Sequence, residues 1–478
     1  MVRTLSRRDF LRSASVGAAV AGLAGCARVA VKKESPDVVV AGKPNVVLIL
    51  ADDLGYGELG CYGQKLIQTP NIDQMAAEGM RFTDHYAGST VCAPSRCSLM
   101  TGLHTGHAYV RGNKEIQPMG QLPLPAETET LPRMLQRAGY TTALIGKWGL
   151  GGPGSSGTPN NQGFDHFFGY LCQRHAHNHY PEFLFRNDQR VPLSNKVEGG
   201  RADGAGVASE KREYAYDLME AEALEFLMQN KDRPFFLCLA VTLPHANNEA
   251  GHNGMEVPDF GEYAGMDWPQ AEKGRAAMIS RLDRGVGRIL RRIRSLGIDE
   301  NTLVFFTSDN GPHREGGSDP NFFASNAPFR GIKRDLYEGG IRVPLIARWP
   351  GRIEAGAVTS HVSAFWDFLP TLAVLAGGEV PSNTDGVCMA PTLLGVPRKQ
   401  KQHEHLYWEF HERGFAQAVR MGPWKAVRLP GGVLELYDLQ ADPGETTNVA
   451  ANQPKIMARI RQCLADARTE SPYWPVEG

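Results

Sequence analysis

Asn45-Val46-Val47-Leu48-Ile49-Leu50-Ala51-Asp52-Asp53-Leu54-Gly55-Tyr56-Gly57 is the stretch on which the fold turns. Val46 to Leu50 is an unbroken apolar run, the pattern of a strand covered on both faces; a half-exposed strand would alternate. The run ends abruptly in two carboxylates and the turn residues Gly55 and Gly57. A doubly covered strand belongs to a sheet with helices on each side, and such sheets hold ligands at the carboxyl ends of their strands.

The pattern recurs along the chain. Thr69-Pro70-Asn71 opens a helix that runs through Gly79, the Cys92 segment enters another, and Leu131 to Ala138 reads as helical up to Gly139. Thr141 to Ile145 is the next strand and ends in Gly146-Lys147-Trp148-Gly149. A charged helix from about Arg212 to Asn230 precedes the apolar strand Phe235 to Leu243, which stops at Pro244-His245. A helix from Gln270 to Leu296 leads to the strand Thr302 to Thr307 and its tip Ser308-Asp309-Asn310-Gly311; Val343 to Ala347 is one more strand. Strands alternating with helices predict an α/β fold with a mainly parallel central sheet flanked by helices. Chain order alone then gathers Asp52, Asp53, Lys147, His245, Asp309 and Asn310 around one crevice.

The end of the chain reads differently. Arg420 to Arg428 and Leu434 to Leu439 have the look of short antiparallel strands, Asp442 to Asn448 of a turn, and Pro454 to Ala467 of a closing helix. These residues predict a main domain over 44–397 and a small C-terminal α+β subdomain over 398–478. No internal repeat is visible. With 478 residues, 42% of them hydrophobic, and a net charge of −1, the chain can bury a large core and shows no basic excess toward nucleic acid.

Residues 1–26 read as a targeting segment. Arg7-Arg8 precedes an apolar, small-residue stretch from Ala14 to Gly25, too short to span a bilayer but suited to a signal sequence of the twin-arginine (Tat) export type. Leu23-Ala24-Gly25-Cys26 resembles a lipobox, in which Cys26 becomes a lipidated N-terminus. Residues 27–43 read as a flexible tether. The expectation is an exported bacterial protein of the periplasm or cell surface, a partner of the Tat machinery, held to a membrane only through Cys26. The remaining cysteines show no paired spacing that would mark a disulfide framework or a zinc site.

Cys92-Ala93-Pro94-Ser95-Arg96 is a loop entering a helix. A thiol at a helix N-terminus beside an arginine is either an activated nucleophile facing an anion or a buried structural cysteine. Asp52-Asp53 and Asp309-Asn310 offer hard oxygen donors at two strand ends, suited to Ca²⁺ or Mg²⁺ and not to zinc.

The segment Cys92-x-Pro-Ser-Arg96-x-x-Leu99-x-Thr101-Gly102 resembles the signature of the type I sulfatases, whose usual basic residue is replaced here by Leu103. Arg330-Gly331-Ile332-Lys333 and Glu338-Gly339-Gly340-Ile341-Arg342 are similar to a second family segment, and Leu436-Tyr437-Asp438-Leu439 to a third. The resemblance implies an alkaline-phosphatase-like fold and hydrolysis of a sulfate monoester, with a carbohydrate as the expected carrier. It also implies that a formylglycine-generating enzyme converts Cys92 to formylglycine before folding. By the same resemblance Asp52, Asp53, Asp309 and Asn310 bind calcium together with residue 92. Arg96, Lys147 and Lys333 balance charge on the sulfate, and His245 or Lys333 protonates the leaving alcohol.

One position departs from the family. Gly149 stands where a histidine contacting the formylglycine is usual. His177, in His175-Ala176-His177-Asn178-His179, is a candidate replacement and equally a loop residue. Arg111-Gly112-Asn113 and His252-Asn253 are candidate sugar contacts and equally polar loop groups. Two other readings stand beside sulfate hydrolysis: a phosphomonoester or phosphonate hydrolase on the same fold, and an inactive glycan-binding lipoprotein.

Overall fold

The computed structural model describes residues 42–476. The expected targeting segment, Cys26 and nearly all of the tether lie outside the described residues. The central sheet contains ten strands. In chain order these are β1 (Asn45–Ala51), β2 (Met80–Phe82), β3 (Thr141–Lys147), β4 (His166–Tyr170), β5 (Phe183–Arg186), β6 (Gln189–Pro192), β7 (Phe235–Ala240), β8 (Thr302–Ser308), β9 (Leu345–Arg348) and β10 (Ala357–Thr359). Across the sheet they run β10-β2-β9-β8-β1-β7-β3-β4-β5-β6.

The five central strands, β8-β1-β7-β3-β4, are parallel throughout. The edges are not: β9 runs antiparallel to both β8 and β2, and β5 and β6 form an antiparallel hairpin beside β4. The strand expected from Val343 starts at Leu345 and is one of these antiparallel members.

The apolar run of β1 divides by the pleat, because successive side chains point to opposite faces. Val46, Leu48 and Leu50 enter one core layer, and Val47, Ile49 and Ala51 the other. The longer helices that cover the sheet are α1 (Pro70–Ala77), α2 (Cys92–Thr101), α3 (Leu131–Arg137), α4 (Ala215–Asn230), α5 (Gln270–Ser295) and α6 (Phe368–Leu375). The first layer is closed by α2, α3 and α6, the second by α1, α4 and α5. In α5 the buried residues Ile279, Leu282, Val286, Ile289 and Ile293 recur every three or four positions, which draws one apolar stripe along the helix. That helix stops where Gly297 adopts a φ of +69°, a conformation only glycine takes without strain. Fully burying each such aliphatic side chain contributes roughly 1.5–3 kcal/mol.

Beyond the main sheet, β11 (Leu406–Phe410), β12 (Ala416–Met421), β13 (Trp424–Arg428) and β14 (Leu434–Asp438) form an antiparallel sheet, with α7 (Pro454–Asp466) packed on it. The stretch from Arg420 to Arg428 is thus a hairpin, reversed at Gly422-Pro423, and β11 precedes it unforeseen. Trp408, Phe410, Val427 and Tyr437 share one apolar cluster with Tyr86, Val91, Leu336 and Ile341.

Candidate active site

Because β1, β7, β3 and β8 are parallel neighbours, their carboxyl ends open on the same edge. Asp52 and Asp53 follow β1, Lys147 ends β3, His245 follows β7 by five residues, and Asp309 and Asn310 follow β8. The turns are tied together by backbone bonds: Asp52 N donates to Leu243 O (3.0 Å) and Asp309 N to Ala51 O (3.1 Å).

Cys92 begins α2 and lines a cavity of about 180 Å³ with Asn113, Gln121, Gln173, His177, His245 and Lys333. Its Sγ is 3.7 Å from Asp52 Oδ1. Ser95 Oγ donates to Asp309 O at 2.6 Å, and the orphan N–H of Ala93 donates to Asn113 Oδ1 at 3.1 Å, so the helix start is fixed from two sides. Burial pushes the Cys92 thiol up to about 12. At that value the unmodified thiol is held in its neutral form, which favours the buried-cysteine reading of the helix start over the activated thiolate.

Three carboxylates and three cations interleave here. Asp52 Oδ2 accepts from Lys147 Nζ at 2.6 Å, Asp53 Oδ2 from Lys333 Nζ at 2.8 Å, and Asp309 Oδ2 from Arg96 Nη2 at 2.7 Å. Arg96 Nη1 also donates to Lys147 O at 2.6 Å. All six are almost wholly buried, so each charge depends on its partners. Burial, reinforced by Asp52, raises Asp309 to about 7. Burial also works on Asp53, yet the positive charge of Lys333 and its neighbours holds that carboxyl well below its ordinary range.

His245 Nδ1 lies 2.7 Å from Ala246 O and, since a carbonyl only accepts, Nδ1 carries the proton and donates it. Its Nε2 then accepts from Lys333 Nζ at 3.1 Å. Burial, with the nearby Lys333 ammonium, pushes His245 well below its ordinary value and keeps the ring neutral. His177 stacks on it, with ring centroids 4.9 Å apart, and holds Glu249 at 3.1 Å through Nδ1.

The catalytic and metal-binding residues expected from the sequence meet at this edge. Others were missed: Glu315, 3.3 Å from Lys333 Nζ, and Gln121, Gln173 and Glu412 on the cavity wall. They lie on loops whose sequence has no periodicity to read. Arg111, read as a candidate sugar contact, is buried and donates to Glu409 Oε1 at 2.9 Å, which makes it a structural anchor. Asn113 does face the cavity; His252 lines a separate hollow with Arg314 and Glu315.

The segment carrying Lys333 is held by the C-terminal sheet. Lys425 Nζ donates to Glu338 Oε1 (2.8 Å) and Glu445 Oε1 (3.1 Å), Glu338 N donates to Glu445 Oε2, and Arg330 donates to Tyr437 and to Glu445 O. Sequence distance hides this; Glu445 reads only as a turn residue.

The donors fit a hard divalent cation. Asp52, Asp53 and Asp309 supply carboxylate oxygens, and Asn310 Nδ2 donates to Asp53 Oδ1 at 2.7 Å while Asn310 Oδ1 is buried without a partner. An orphaned amide oxygen among three carboxylates is a group that a metal would satisfy. Asp52, Asp53, Cys92 and His245 also place ligand atoms within 4.8 Å of one another.

A family model described as Sulfatase matches residues 44–378, and one described as N-sulphoglucosamine sulphohydrolase, C-terminal, matches residues 331–470. The chain is similar to arylsulfatase A of Homo sapiens, 35% identical over 89% of this chain and 88% of that protein. It is also similar to N-acetylgalactosamine-6-sulfatase of Mus musculus, 34% identical over 80% of this chain and 71% of that protein. Among solved structures it resembles Ps i-CgsB in complex with k-i-k-neocarrahexaose, with a TM-score of 0.75 and 28% identity over 91% of this chain and 95% of that one. With the signature cysteine, its cations and its carboxylates assembled at the strand ends of the expected sheet, and these matches spanning most of the chain, the protein belongs to the type I sulfatase family and is a sulfuric ester hydrolase.

Proposed function

We propose that the protein hydrolyses a sulfate monoester carried on a carbohydrate, with residue 92 as formylglycine and Ca²⁺ held by Asp52, Asp53, Asp309 and Asn310. The observation that carries this reading is the meeting of Cys92 with three buried carboxylates, three buried cations and an unpartnered amide oxygen at one polar cavity. Formylglycine would supply a hydrated aldehyde as nucleophile, and the metal, Ca²⁺ or Mg²⁺, positive charge beside it. Arg96, Lys147 and Lys333 neutralise negative charge on the transferring group, an effect often worth several kcal/mol per donor. Lys333 Nζ and His245 Nε2, 3.1 Å apart, hold one transferable proton between them for the departing alkoxide. Asn113, Glu115, Gln121, Asn248 and Glu412 line the cavity with groups that bond hydroxyls, which supports a sugar. Two similar proteins point the same way, one named for an amino-sugar sulfate and one solved with an oligosaccharide.

Mass spectrometry of the tryptic peptide Phe82 to Arg96 from protein made in its own host tests the reading: an aldehyde at residue 92 is expected. An unmodified thiol in active, metal-loaded protein would end it. Parallel kinetics on sulfate and phosphate esters of one alcohol separate this activity from a phosphate or phosphonate hydrolase. The proposal extends to the N-terminal residues, with Tat export and a lipid anchor at Cys26; a Cys26→Ala variant that stays in the membrane fraction would remove the anchor.

A further inference from the structure

The wall of the cavity contains a side chain whose polar atoms have no bonding partner. Gln173 is only 6% exposed, and neither its Nε2 nor its Oε1 has a hydrogen-bond partner. A buried carboxamide normally makes at least one bond, and leaving both ends unmade is costly. Gln173 lines the same cavity as Cys92, His245 and Lys333.

The backbone shows why it is there. The ladder between β3 and β4 continues past both strands, with Trp148 N donating to Tyr170 O at 2.9 Å and Gly149 N to Leu171 O at 3.1 Å. The chain after β4 is thereby laid over Gly149. Gln173 N is then anchored by Gln121 Oε1 at 2.9 Å. Gly149 has a φ of +84°, and a Cβ there would lie 1.8 Å from Gln173 Nε2. Any larger residue at 149 would evict the carboxamide. The bare glycine and the glutamine occupy one volume between them.

We propose that Gln173 is a substrate-binding residue whose carboxamide, seated in the space left by Gly149, hydrogen-bonds the sulfate group of the ester. Its N–H end donates to a sulfate oxygen, and its oxygen end accepts from a hydroxyl next to the ester on the same sugar. This deepens the function proposed above and rests on it. An amide neither gives up nor takes a proton near neutrality, so Gln173 binds and orients, and proton transfer stays with the Lys333 and His245 pair.

The test uses Cys92→Ala protein loaded with Ca²⁺, which cannot turn over, titrated calorimetrically with inorganic sulfate. Gln173→Met is expected to weaken sulfate about tenfold or more, the scale of a lost hydrogen bond to a charged group, and Gln173→Glu to weaken it further by like charge. The ligand-free melting temperature is the readout that a structural role would move the other way. If Gln173 awaits a ligand, Gln173→Met melts at or above the parent, because it removes two unsatisfied buried atoms; if Gln173 supports the fold, it melts lower. Unchanged sulfate affinity in Gln173→Met, or a lower melting temperature with an unchanged affinity ratio, overturns this role alone. A parent that binds no sulfate overturns the sulfate-site reading and this role together.

Discussion

His245 lies nearly flat against His177, the two ring planes 13° apart with centroids separated by 4.9 Å. The His245 ring is thus held along its edge by the Ala246 carbonyl and across one face by a second imidazole, itself held by Glu249. On the mechanism proposed above, this relationship would make His177 a positioning residue for the Lys333–His245 pair, a role that stands beside its candidacy as the replacement for the histidine absent at Gly149.

Two variants separate these tasks. His245→Ala should lower kcat about 10²- to 10⁴-fold on an alkyl or sugar sulfate and far less on a nitrophenyl sulfate, whose leaving group needs little protonation. His177→Ala should show the same preference for good leaving groups at smaller size. Steady-state rates on the two esters check it. An equal loss on both would mean that His177 serves a step other than leaving-group protonation.

Asn310 tests the metal assignment with little disturbance of charge. Its Oδ1 is buried and unpartnered while its Nδ2 bonds Asp53. Asn310→Ala should weaken Ca²⁺ about tenfold or more and reduce the rise in melting temperature that Ca²⁺ produces, by the ordinary linkage of binding to stability. Asp309→Ala should abolish stoichiometric metal. Calorimetry and metal analysis read both; full occupancy in Asp309→Ala would move the ion elsewhere.

Arg96 joins two strand ends, through Asp309 and through the carbonyl of Lys147. Its five N–H groups are fixed in a plane that a lysine cannot reproduce. Arg96→Ala leaves Asp309 buried without its cation, and breaking such a pair costs about 3–5 kcal/mol. Denaturant unfolding should show that loss in metal-free protein. Arg96→Lys should recover stability in part and activity hardly at all.

The legible part of this molecule is the part written in long apolar runs. Val46 to Leu50, Thr141 to Ile145 and Thr302 to Thr307 each announce a doubly covered strand, and the polar residues that follow them must then meet at one edge. The outer strands β5, β6, β9 and β10 have only three or four residues each, too few for a period, and the antiparallel sense of β9 is set by partners distant in sequence. Gln173 was hidden for a different reason. Its placement depends on the missing side chain at Gly149, whose space its carboxamide fills, and the sequence showed that only as a departure from a family pattern. Glu445 was hidden by distance, since its partners Lys425 and Glu338 lie 20 and 107 residues away.

That buried trio should give the fold a pH dependence of its own. Burial, opposed by Lys425 but reinforced by the charge of Glu338, pushes Glu445 up to about 7 from an ordinary 4.5. The folded chain therefore holds this proton more tightly than the unfolded chain does. Its contribution to stability is complete below about pH 4.5 and lost as the pH rises through about 7. Glu338 acts in the opposite sense: burial works to raise it, but Lys425 and Arg342 hold it down to about 2, so its contribution exists above about pH 4.5 and fades in acid. Glu445→Gln fixes the neutral form. Melting temperatures from about pH 5 to about pH 8, at constant saturating Ca²⁺, should show the variant gaining on the parent as the pH rises. A difference that stays constant over that range would mean that Glu445 does not change charge within it. The same melts carry a functional readout, because Glu445 and Lys425 brace the segment that presents Lys333. If the bracing matters, the parent's kcat should fall above about pH 7 more steeply than that of Glu445→Gln.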